Sequence, residues 1–192
     1  MLKPIKFLKH FLISPNTTGA LTPSSEGLSH LITDTAELAN TSMVIEFGTG
    51  TGVFTEKILQ KISDKTQFFA LEINSEFAEQ TRQKCPKALV YEDSAVNART
   101  YLEAAGFQAC DRIICGLPWA SFDEGLQNAL LQTTKDVLKP GGKLLTFAYV
   151  SSLLLPAGIR FRKKLYATFP KVSTTRTIWM NIPPAFVYCA EK

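Results

Sequence analysis

The sequence predicts a doubly wound α/β fold, with a mostly parallel sheet of seven strands flanked by helices and an amphipathic helix at the N-terminus. Two observations predict it: from Met43 onward short apolar β runs alternate with helical patterns, and a glycine-rich turn follows the first run. Such alternation implies right-handed crossovers and a parallel sheet covered on both faces. The 192 residues, 45% of them hydrophobic, suffice for one core, so we expect a single domain over 1–192.

Each element follows from its local pattern, because β runs mark strands, apolar residues at helical spacing mark helices, and turn residues separate them. The predicted strands span 43–47, 67–72, 88–92, 111–119 and 143–150, with two later ones near 172–179 and 184–190. The predicted helices span 2–13, 25–39 with Ser24 as its N-cap, 52–62, 75–84, 95–105, 123–138 and 159–169. The domain therefore divides into an amphipathic helix (1–13), a lead-in segment with a helix (14–41), an α/β core (42–150) and a basic segment with the last strands (151–192).

The first predicted helix has two distinct faces. At about 100° per residue, one arc carries Ile5, Phe7, Leu8, Phe11 and Leu12, and the opposite arc carries Lys3, Lys6, Lys9 and His10. An interfacial helix that lies on an anionic membrane has this design. A helix packed on the core with a solvated basic side has it too, and the sequence leaves both interpretations open.

Charge is distributed unevenly along the chain, whose formal net charge is +4. Residues 1–13 carry three lysines and no acid, residues 14–150 carry 11 basic and 16 acidic groups, and residues 151–192 carry seven basic groups against Glu191 alone. Basic ends around an acidic body favour contact with an anionic surface, either a membrane or a nucleic acid. The basic stretch that contains Arg160 offers a second such contact, although merely solvated surfaces also carry such stretches.

Cysteine usage and hydropathy indicate the compartment. The four cysteines, Cys85, Cys110, Cys115 and Cys189, form no C-x-x-C pair and lie far from either histidine, so we expect no zinc or other metal site. A reducing cytoplasm fits this usage. The longest apolar stretch, 147–159, is interrupted by serines and a proline, and lysines interrupt the start of the chain, so we expect neither a transmembrane helix nor a secretory signal.

The most informative segment is Glu46-Phe47-Gly48-Thr49-Gly50-Thr51-Gly52, between the first strand and the helix that follows it. Glycines here let the backbone approach a ligand closely, and the helix N-terminus beyond them favours an anionic or carboxylate group. The spacing G-x-G-x-G is neither the phosphate-binding P-loop, which needs Gly-Lys-Ser/Thr, nor the dinucleotide fingerprint G-x-G-x-x-G. A turn with a purely structural role is the alternative.

Further polar or glycine-bearing segments end the next three strands. Glu72 comes about 20 residues after the glycines, where a doubly wound fold places a carboxylate against ribose hydroxyls. Asp93 ends the third strand in the segment EDSA, where it can reach an adenine amine or cap a helix, and the residues favour neither interpretation. The fourth strand ends in Gly116-Leu117-Pro118-Trp119 at the ligand-binding edge, whereas we expect the KPGG turn at 139–142 to be structural.

Together these residues resemble the class I S-adenosylmethionine-dependent methyltransferases. The resemblance covers roughly 42–150 and takes in the glycine-rich turn, Glu72, Asp93-Ser94-Ala95, the GLPW strand end and the KPGG turn. It implies a Rossmann-like methyltransferase fold, with S-adenosyl-L-methionine as the cofactor and methyl donor. The cofactor-binding residues that it implies are Glu46, Gly48, Thr49, Gly50, Gly52, Glu72, Ile73, Asp93, Ser94, Ala95, Gly116 and Leu117.

Two groups within this superfamily compete. Ribosomal RNA adenine dimethyltransferases carry an N-I/L-P-Y/F motif at the fourth strand, whose asparagine accepts a hydrogen bond from the target amine and whose aromatic ring stacks on the flipped base. Here Gly116 occupies the asparagine position, so the amide acceptor is missing, although Trp119 still offers a stacking ring. Nucleic acid is therefore the less favoured substrate.

The other group, the bacterial phosphatidylethanolamine N-methyltransferases with their ornithine-lipid relatives, is similar to this chain over nearly its whole length. The similarity rests on the basic amphipathic start, on TGALTPSS (Thr18–Ser25), on CGLP (115–118), on FAY (Phe147–Tyr149) and on the closing IWMNIPPAFVY (178–188). It implies methylation of the amine headgroup of a phospholipid by a cytoplasmic enzyme held peripherally on the inner face of the membrane. A non-catalytic membrane-binding relative is a third interpretation, which the intact turn and Glu72 disfavour.

The same resemblance implies residues on the substrate side. Tyr149 is predicted as the catalytic residue that contacts the lipid phosphate or headgroup, with a core-facing tyrosine as the alternative. The residues predicted to meet the membrane or the lipid substrate are Lys3, Lys6, Phe7, Lys9, Phe11, Trp119, Arg160 and Asn181. No general base is evident in the sequence.

Overall fold

The computed structural model describes residues 25–192 of the chain. Seven strands form one sheet: β1 (Met43–Phe47), β2 (Gln67–Glu72), β3 (Leu89–Glu92), β4 (Cys110–Cys115), β5 (Leu138–Tyr149), β6 (Lys171–Thr174) and β7 (Ala185–Glu191). Their order is β3-β2-β1-β4-β5-β7-β6. The first five pair in parallel, and β7 runs antiparallel to both β5 and β6, so the predicted mostly parallel seven-stranded sheet is confirmed.

Helices cover both faces of this sheet. Within the described range they are α1 (Glu26–Thr35), α2 (Val53–Lys61), α3 (Ser75–Lys84), α4 (Ala98–Ala104), α5 (Glu124–Val137) and α6 (Pro156–Thr168). Residues of α1 and α2 share one hydrophobic cluster, and Ala78 of α3 packs in a smaller one beside it. Residues of α4, α5 and α6 share the largest cluster on the opposite face. The fold is therefore a Rossmann-like, doubly wound α/β fold, as predicted.

The central strand β1 explains why the sheet needs cover on both sides. All five of its residues are buried, and successive side chains of a strand point to opposite faces. Met43, Ile45 and Phe47 accordingly join the cluster with α4 to α6, while Val44 joins the cluster with α1 and α2. Glu46 shares the face of Val44 by this alternation, and it is the one charged residue of the strand.

The first described helix begins and ends elsewhere than the sequence predicts. Ser25, rather than Ser24, is its N-cap, because the Ser25 hydroxyl oxygen accepts a hydrogen bond from the Leu28 N–H (3.2 Å). The helix ends at Thr35 instead of 39, because Glu37 adopts a left-handed backbone with φ of 53° and a short 3-10 turn follows it.

The last third of the chain also departs from the predicted bounds. The strand predicted near 172–179 ends at Thr174, because the Val187 N–H donates to the Thr175 side chain instead of continuing the ladder. Helix α6 begins at Pro156, before the predicted 159, since proline suits the first turn of a helix. The KPGG segment belongs to the irregular start of β5, where the register with β4 shifts.

The predicted amphipathic helix at 2–13, with Lys3, Lys6, Phe7, Lys9 and Phe11, lies outside the described residues. Within 25–192, no helix combines the length and the hydropathy that crossing a bilayer requires. In the same range, no group of three or more His, Cys, Asp or Glu side chains could hold a metal ion.

Candidate active site

A cavity of about 380 Å³ lies at the carboxyl edge of the parallel strands. Its lining comes from the turns after β1 and β4, the ends of β2 and β5, the segment 151–155, α6, and residues before and within β7. Ligands bind at this edge in open α/β sheets. The predicted site residues that the structure brings together in the cavity wall are Gly48, Gly50, Glu72, Gly116, Leu117, Trp119 and Tyr149.

The turns after β1 and β4 touch backbone to backbone. The Gly116 N–H donates to the Phe47 carbonyl and the Gly48 N–H donates to the Leu71 carbonyl, each at 2.8 Å, which joins the ends of three neighbouring strands. A Cβ atom at position 116 would lie 2.6 Å from the Gly48 carbonyl oxygen, closer than real Cβ atoms approach. Gly48 itself has φ of +76°, in the left-handed region that favours glycine. A side chain at position 116 would therefore displace the turn.

Glu72 ends β2 as a buried carboxylate that is 4% exposed. Its two oxygens accept hydrogen bonds from the main-chain N–H groups of Gly50 (3.0 Å) and Asn74 (2.9 Å). Burial raises the pKa of Glu72, and the main-chain N–H groups oppose that rise. The carboxylate of Glu72 therefore anchors the glycine-rich turn and also lines the cavity, where it faces the space that a ligand would occupy.

Glu46 is fully buried beneath the same turn. One carboxyl oxygen accepts a hydrogen bond from the Thr55 hydroxyl (2.7 Å), and the other, Oε1, has no partner among the described residues. Burial raises the pKa of Glu46 to about 8 against the opposing hydrogen bond from Thr55, and the charge of Glu72 adds to the rise. Glu46 does not line the cavity, so its predicted contact with the cofactor stays a prediction.

Two further residues of the turn support it from behind. The Thr49 side chain is buried, and its hydroxyl accepts a hydrogen bond from the Thr81 hydroxyl of α3 (3.0 Å). Gly52 is the N-cap of α2. The predicted contacts of Thr49 and Gly52 with a cofactor stay predictions, because these residues lie behind the part of the turn that lines the cavity.

The residues predicted to meet adenine form a polar corner after β3. The Asp93 carboxylate accepts hydrogen bonds from the Ser94 N–H (2.6 Å), the Asn97 side chain (2.9 Å) and the Tyr101 hydroxyl (2.9 Å). Of the two interpretations of Asp93, the capping role falls instead to Ser94, which is the N-cap of a 3-10 turn that begins at Ala95. Contact of this corner, and of the nearby half-buried Ile73, with adenine stays a prediction.

Aromatic side chains build the acceptor side of the cavity. Trp119 is only 3% exposed, and its indole N–H donates to the Thr146 hydroxyl (2.8 Å). Phe161 of α6 stacks on the indole with 4.4 Å between ring centroids, so one face of Trp119 is covered by the protein itself. Tyr188 of β7 meets Phe161 edge-on at 6.1 Å. The sequence interpretation did not assign Phe161 or Tyr188 to the site, because no local pattern links these distant aromatic residues to Trp119.

Tyr149 is half-buried at the end of β5 and lines the cavity. Among residues 25–192 its hydroxyl has no hydrogen-bond partner, and burial raises its pKa. Phe147 supports its ring edge-on, with 5.4 Å between centroids. Tyr149 therefore offers a neutral phenol, free to donate a hydrogen bond to a ligand.

Two residues predicted to meet the lipid or the membrane lie apart from the cavity wall. Asn181 is buried, its side-chain oxygen accepts the Ser25 N–H (3.1 Å), and its side-chain nitrogen donates to the Pro183 carbonyl (2.6 Å). The main chain engages both polar ends of this amide, so Asn181 fastens the closing segment to the start of α1, and its contact with the lipid stays a prediction. Arg160 is half-buried on α6, and its contact with a membrane stays a prediction.

The glycine-rich turn, the buried acid at the end of β2 and the cleft between them define a methyltransferase, and comparison with known proteins agrees. A family model described as "Methyltransferase domain" matches residues 44–142, more than half of the chain. The chain belongs to this family and is an S-adenosylmethionine-dependent methyltransferase.

Individual relatives extend the comparison beyond the core. An ornithine lipid N-methyltransferase from Singulisphaera acidiphila is 28% identical over 186 residues, which cover 95% of this chain and 91% of that protein. The structure of an O-methyltransferase from Bacillus cereus in complex with SAH has a TM-score of 0.68 at 14% identity, covering 97% of this chain and 89% of that one. An rRNA methylase from Streptococcus thermophilus has a TM-score of 0.64 at 14% identity, covering 86% and 94%. At such identities, the two structures share only their fold with this chain.

The described residues fit S-adenosylmethionine, the cofactor of this methyltransferase. Space is open beside the turn, since a Cβ atom at Gly50 would meet no atom within 4 Å apart from its chain neighbours. Glu72 lines that space, and the unpartnered Oε1 of Glu46 is buried behind the turn, so two carboxyl groups stand on the side where a cationic cofactor would bind.

Replacing Glu72 by alanine tests the cofactor side. We expect Glu72→Ala to lower the affinity for S-adenosylmethionine about 100-fold or more in titration calorimetry, because it removes an anionic acceptor and the anchor of Gly50. Glu92→Ala is the matched control, since Glu92 is the exposed register partner of Glu72 on β3 and should bind normally. Normal affinity in Glu72→Ala would contradict the assignment.

Replacing Gly116 by alanine tests the contact between the two turns. The added Cβ would force the Gly48 carbonyl away, so we expect Gly116→Ala to weaken cofactor binding about 10-fold or more and to lower the melting temperature. Gly27→Ala in helix α1 is the control, because the added Cβ would lie 3.6 Å from the Ile178 side chain, an ordinary van der Waals contact. Calorimetry and thermal unfolding measure both effects, and a Gly116→Ala variant indistinguishable from the parent would show that the turns can separate freely.

Proposed function

We propose that this methyltransferase adds a methyl group to the amine headgroup of a membrane lipid, such as phosphatidylethanolamine or an ornithine lipid. The observation that carries the proposal is the composition of the acceptor side of the cavity, which combines aromatic and aliphatic walls with the unpartnered hydroxyl of Tyr149. Such walls suit a ligand that brings apolar chains. The ornithine lipid N-methyltransferase that is similar over 95% of this chain supports the same class of substrate.

In this proposal different residues of the cavity bind different parts of the cofactor. Glu72 holds the ribose hydroxyls, the turn at 48–52 holds the methionine portion, Asp93 reaches the adenine, and Gly116 and Leu117 line the passage to the acceptor. Bound S-adenosylmethionine supplies a methyl group on an electrophilic sulfonium. The protein therefore needs chiefly to align the acceptor amine and to keep water from the passage, which the packed rings around Trp119 do.

The amine must reach the site without its extra proton, because a nitrogen attacks a methyl carbon through its lone pair. Among the described residues that line the cavity, Glu72 is the only carboxylate, and no histidine or lysine is present. The headgroup ammonium therefore loses its proton to solvent before transfer, and the methylated product carries the new positive charge. Turnover should accordingly rise with pH until the amine is neutral.

The N-terminal stretch completes the proposal at the membrane. We place Lys3, Lys6 and Lys9 against anionic headgroups and Phe7 and Phe11 in the interfacial layer, in the manner of an interfacial helix. The enzyme would thus act as a peripheral protein on the cytoplasmic face of the bilayer.

Methylation of an RNA adenine is the second candidate, favoured by the basic ends of the chain. The contact between the two turns counts against it. An adenine-methylating pattern needs an asparagine at position 116, and the structure leaves 2.6 Å between a Cβ at that position and the Gly48 carbonyl oxygen. The polar acceptor that a flipped base requires therefore has no place there.

Methyl transfer to lipid is the decisive measurement. With radiolabelled S-adenosylmethionine, we expect label in the lipid fraction when vesicles contain phosphatidylethanolamine or an ornithine lipid, and none with phosphatidylcholine, whose nitrogen has no lone pair. The initial rate should increase from about pH 6 to about pH 9, because the fraction of neutral amine increases. Label that appears only in added ribosomal RNA would replace this proposal with the second candidate.

Tyr149→Phe tests the acceptor side without disturbing the cofactor. We expect kcat/KM for the lipid to fall about 10-fold, the value of one hydrogen bond of about 1.4 kcal/mol, with S-adenosylmethionine affinity unchanged. Because burial raises the pKa of Tyr149, its phenol stays protonated and the loss should be the same from about pH 6 to about pH 9. Tyr166→Phe, at an exposed position of α6, is the control. An unaltered kcat/KM in Tyr149→Phe would assign this tyrosine to the core.

A further inference from the structure

Exposed apolar side chains are concentrated around one end of the cavity. Eight large hydrophobic residues are exposed within 25–192, and six of them lie in two segments, the stretch from the end of β5 through the first turn of α6 and the loop before β7. These six, which we call the apolar rim, are Leu154, Leu155, Ile159, Trp179, Met180 and Ile182. Met180 is 92% exposed and Leu154 is 83% exposed, so these side chains lie almost wholly in solvent.

Both segments of the rim border the mouth of the cavity. Leu155 from the first segment and Pro183 from the second line the cavity wall. The two segments are joined at their bases, because the Val150 N–H donates to the Pro184 carbonyl (2.9 Å). A ligand that enters on the acceptor side therefore passes between apolar groups on both sides.

The exposure of the second segment is built into the fold. The Ile178 N–H donates to the Ala185 carbonyl (2.7 Å), and the Asn181 N–H donates to the Ile178 carbonyl (3.3 Å), which closes the loop on itself. The buried Asn181 side chain ties the loop to Ser25. The loop is therefore fastened from beneath while Trp179, Met180 and Ile182 face outward, an arrangement that costs solubility unless a partner covers it.

The segment that carries the rim is basic, and Glu124 of helix α5 is paired with Lys164 of α6 (3.0 Å). Residues 151–190 contain six basic side chains and no acid. Lys164 and Lys171 form ion pairs, whereas four others have no ion-pair partner within the described part of the chain. These four are Arg160, Arg162, Lys163 and Arg176. Apolar groups with unpaired cations match the interface of an anionic bilayer.

The start of the described chain lies at the same place. The Ser25 N–H is bonded to Asn181, so the described chain begins beside the rim, and residues 1–24 precede it in sequence. Their sequence carries three lysines and no acid over 1–13. Residues 1–13 and the segment that carries the rim therefore share an excess of basic side chains, which suits an anionic membrane.

We propose that the apolar rim inserts into the interfacial layer of an anionic lipid bilayer and seats the mouth of the cavity on the membrane. A lipid then enters the cavity while its tails stay in the bilayer, between Leu155 and Pro183. This inference rests on the lipid substrate proposed above, because docking serves to bring that lipid to the cavity. Its test measures binding to vesicles without any methyl transfer.

The triple variant Trp179→Ser/Met180→Ser/Ile182→Ser removes the second segment of the rim. In sedimentation with vesicles of phosphatidylglycerol and phosphatidylcholine, which offer no acceptor amine, we expect its partition coefficient to fall about 10-fold or more. Leu89→Ser, which removes an exposed apolar side chain at the amino end of β3, should sediment like the parent. S-adenosylmethionine affinity should be unchanged in both variants. Equal sedimentation of the triple variant and the parent would overturn the proposal.

The fluorescence of Trp179 provides a second readout. Trp179 is 73% exposed and Trp119 is 3% exposed, so the difference between the parent and Trp179→Phe isolates the rim. We expect the Trp179 emission to shift to shorter wavelength on these vesicles and to be quenched by brominated acyl chains. Emission already at short wavelength without vesicles and unaltered by them would mean that the N-terminal residues or a second copy cover the rim, which overturns the proposal. Binding of the rim to vesicles without methylation of any lipid amine would support the docking proposal and contradict the proposed function.

Discussion

The contact between the backbones of Gly48 and Gly116 is the constraint on which the rest of the site depends. Because no Cβ separates them, the ends of β1, β2 and β4 stay joined by main-chain hydrogen bonds. This contact holds the glycine-rich turn in the position where the Gly50 N–H donates a hydrogen bond to the Glu72 carboxylate. The space beside Gly50 stays open. The same contact leaves no room for a side chain at position 116. One steric restriction thus fixes the position of the glycine-rich turn on the cofactor side.

Two buried carboxyl groups behind that turn give the cofactor side its electrostatic character. Burial raises the pKa of both Glu46 and Glu72, so in each case the protein interior disfavours the charged form. A cationic ligand reverses that preference, because a nearby positive charge stabilises a carboxylate. S-adenosylmethionine carries a sulfonium and an ammonium group, so its arrival lowers the cost of keeping these acids ionised. The acceptor side has the opposite character, with rings and two tyrosine hydroxyls, and the reaction lies where these halves meet.

The fold and the cofactor side of the cavity could be predicted from local sequence patterns. The aromatic packing on the acceptor side could not. The buried run at 43–47, the glycine-rich turn and the acid at Glu72 are fixed by residues close in sequence, so their elements appear where the sequence places them. The end of α1 depends on the left-handed backbone of Glu37, which no sequence signal marks. The packing of Phe161 on Trp119 and the capture of Ser25 by Asn181 join residues 42 and 156 positions apart, and only the folded chain brings such pairs together.

The antiparallel course of β7 has a practical consequence for work with this enzyme. Since β7 leaves the mouth of the cavity and runs back along β5, Lys192 lies at the far edge of the sheet, bonded to Gly141 and Gly142. Ser25, by contrast, lies beside the loop before β7. An affinity handle, fluorophore or surface linkage attached through residue 192 would leave the mouth unobstructed, and one placed just ahead of residue 25 would crowd it.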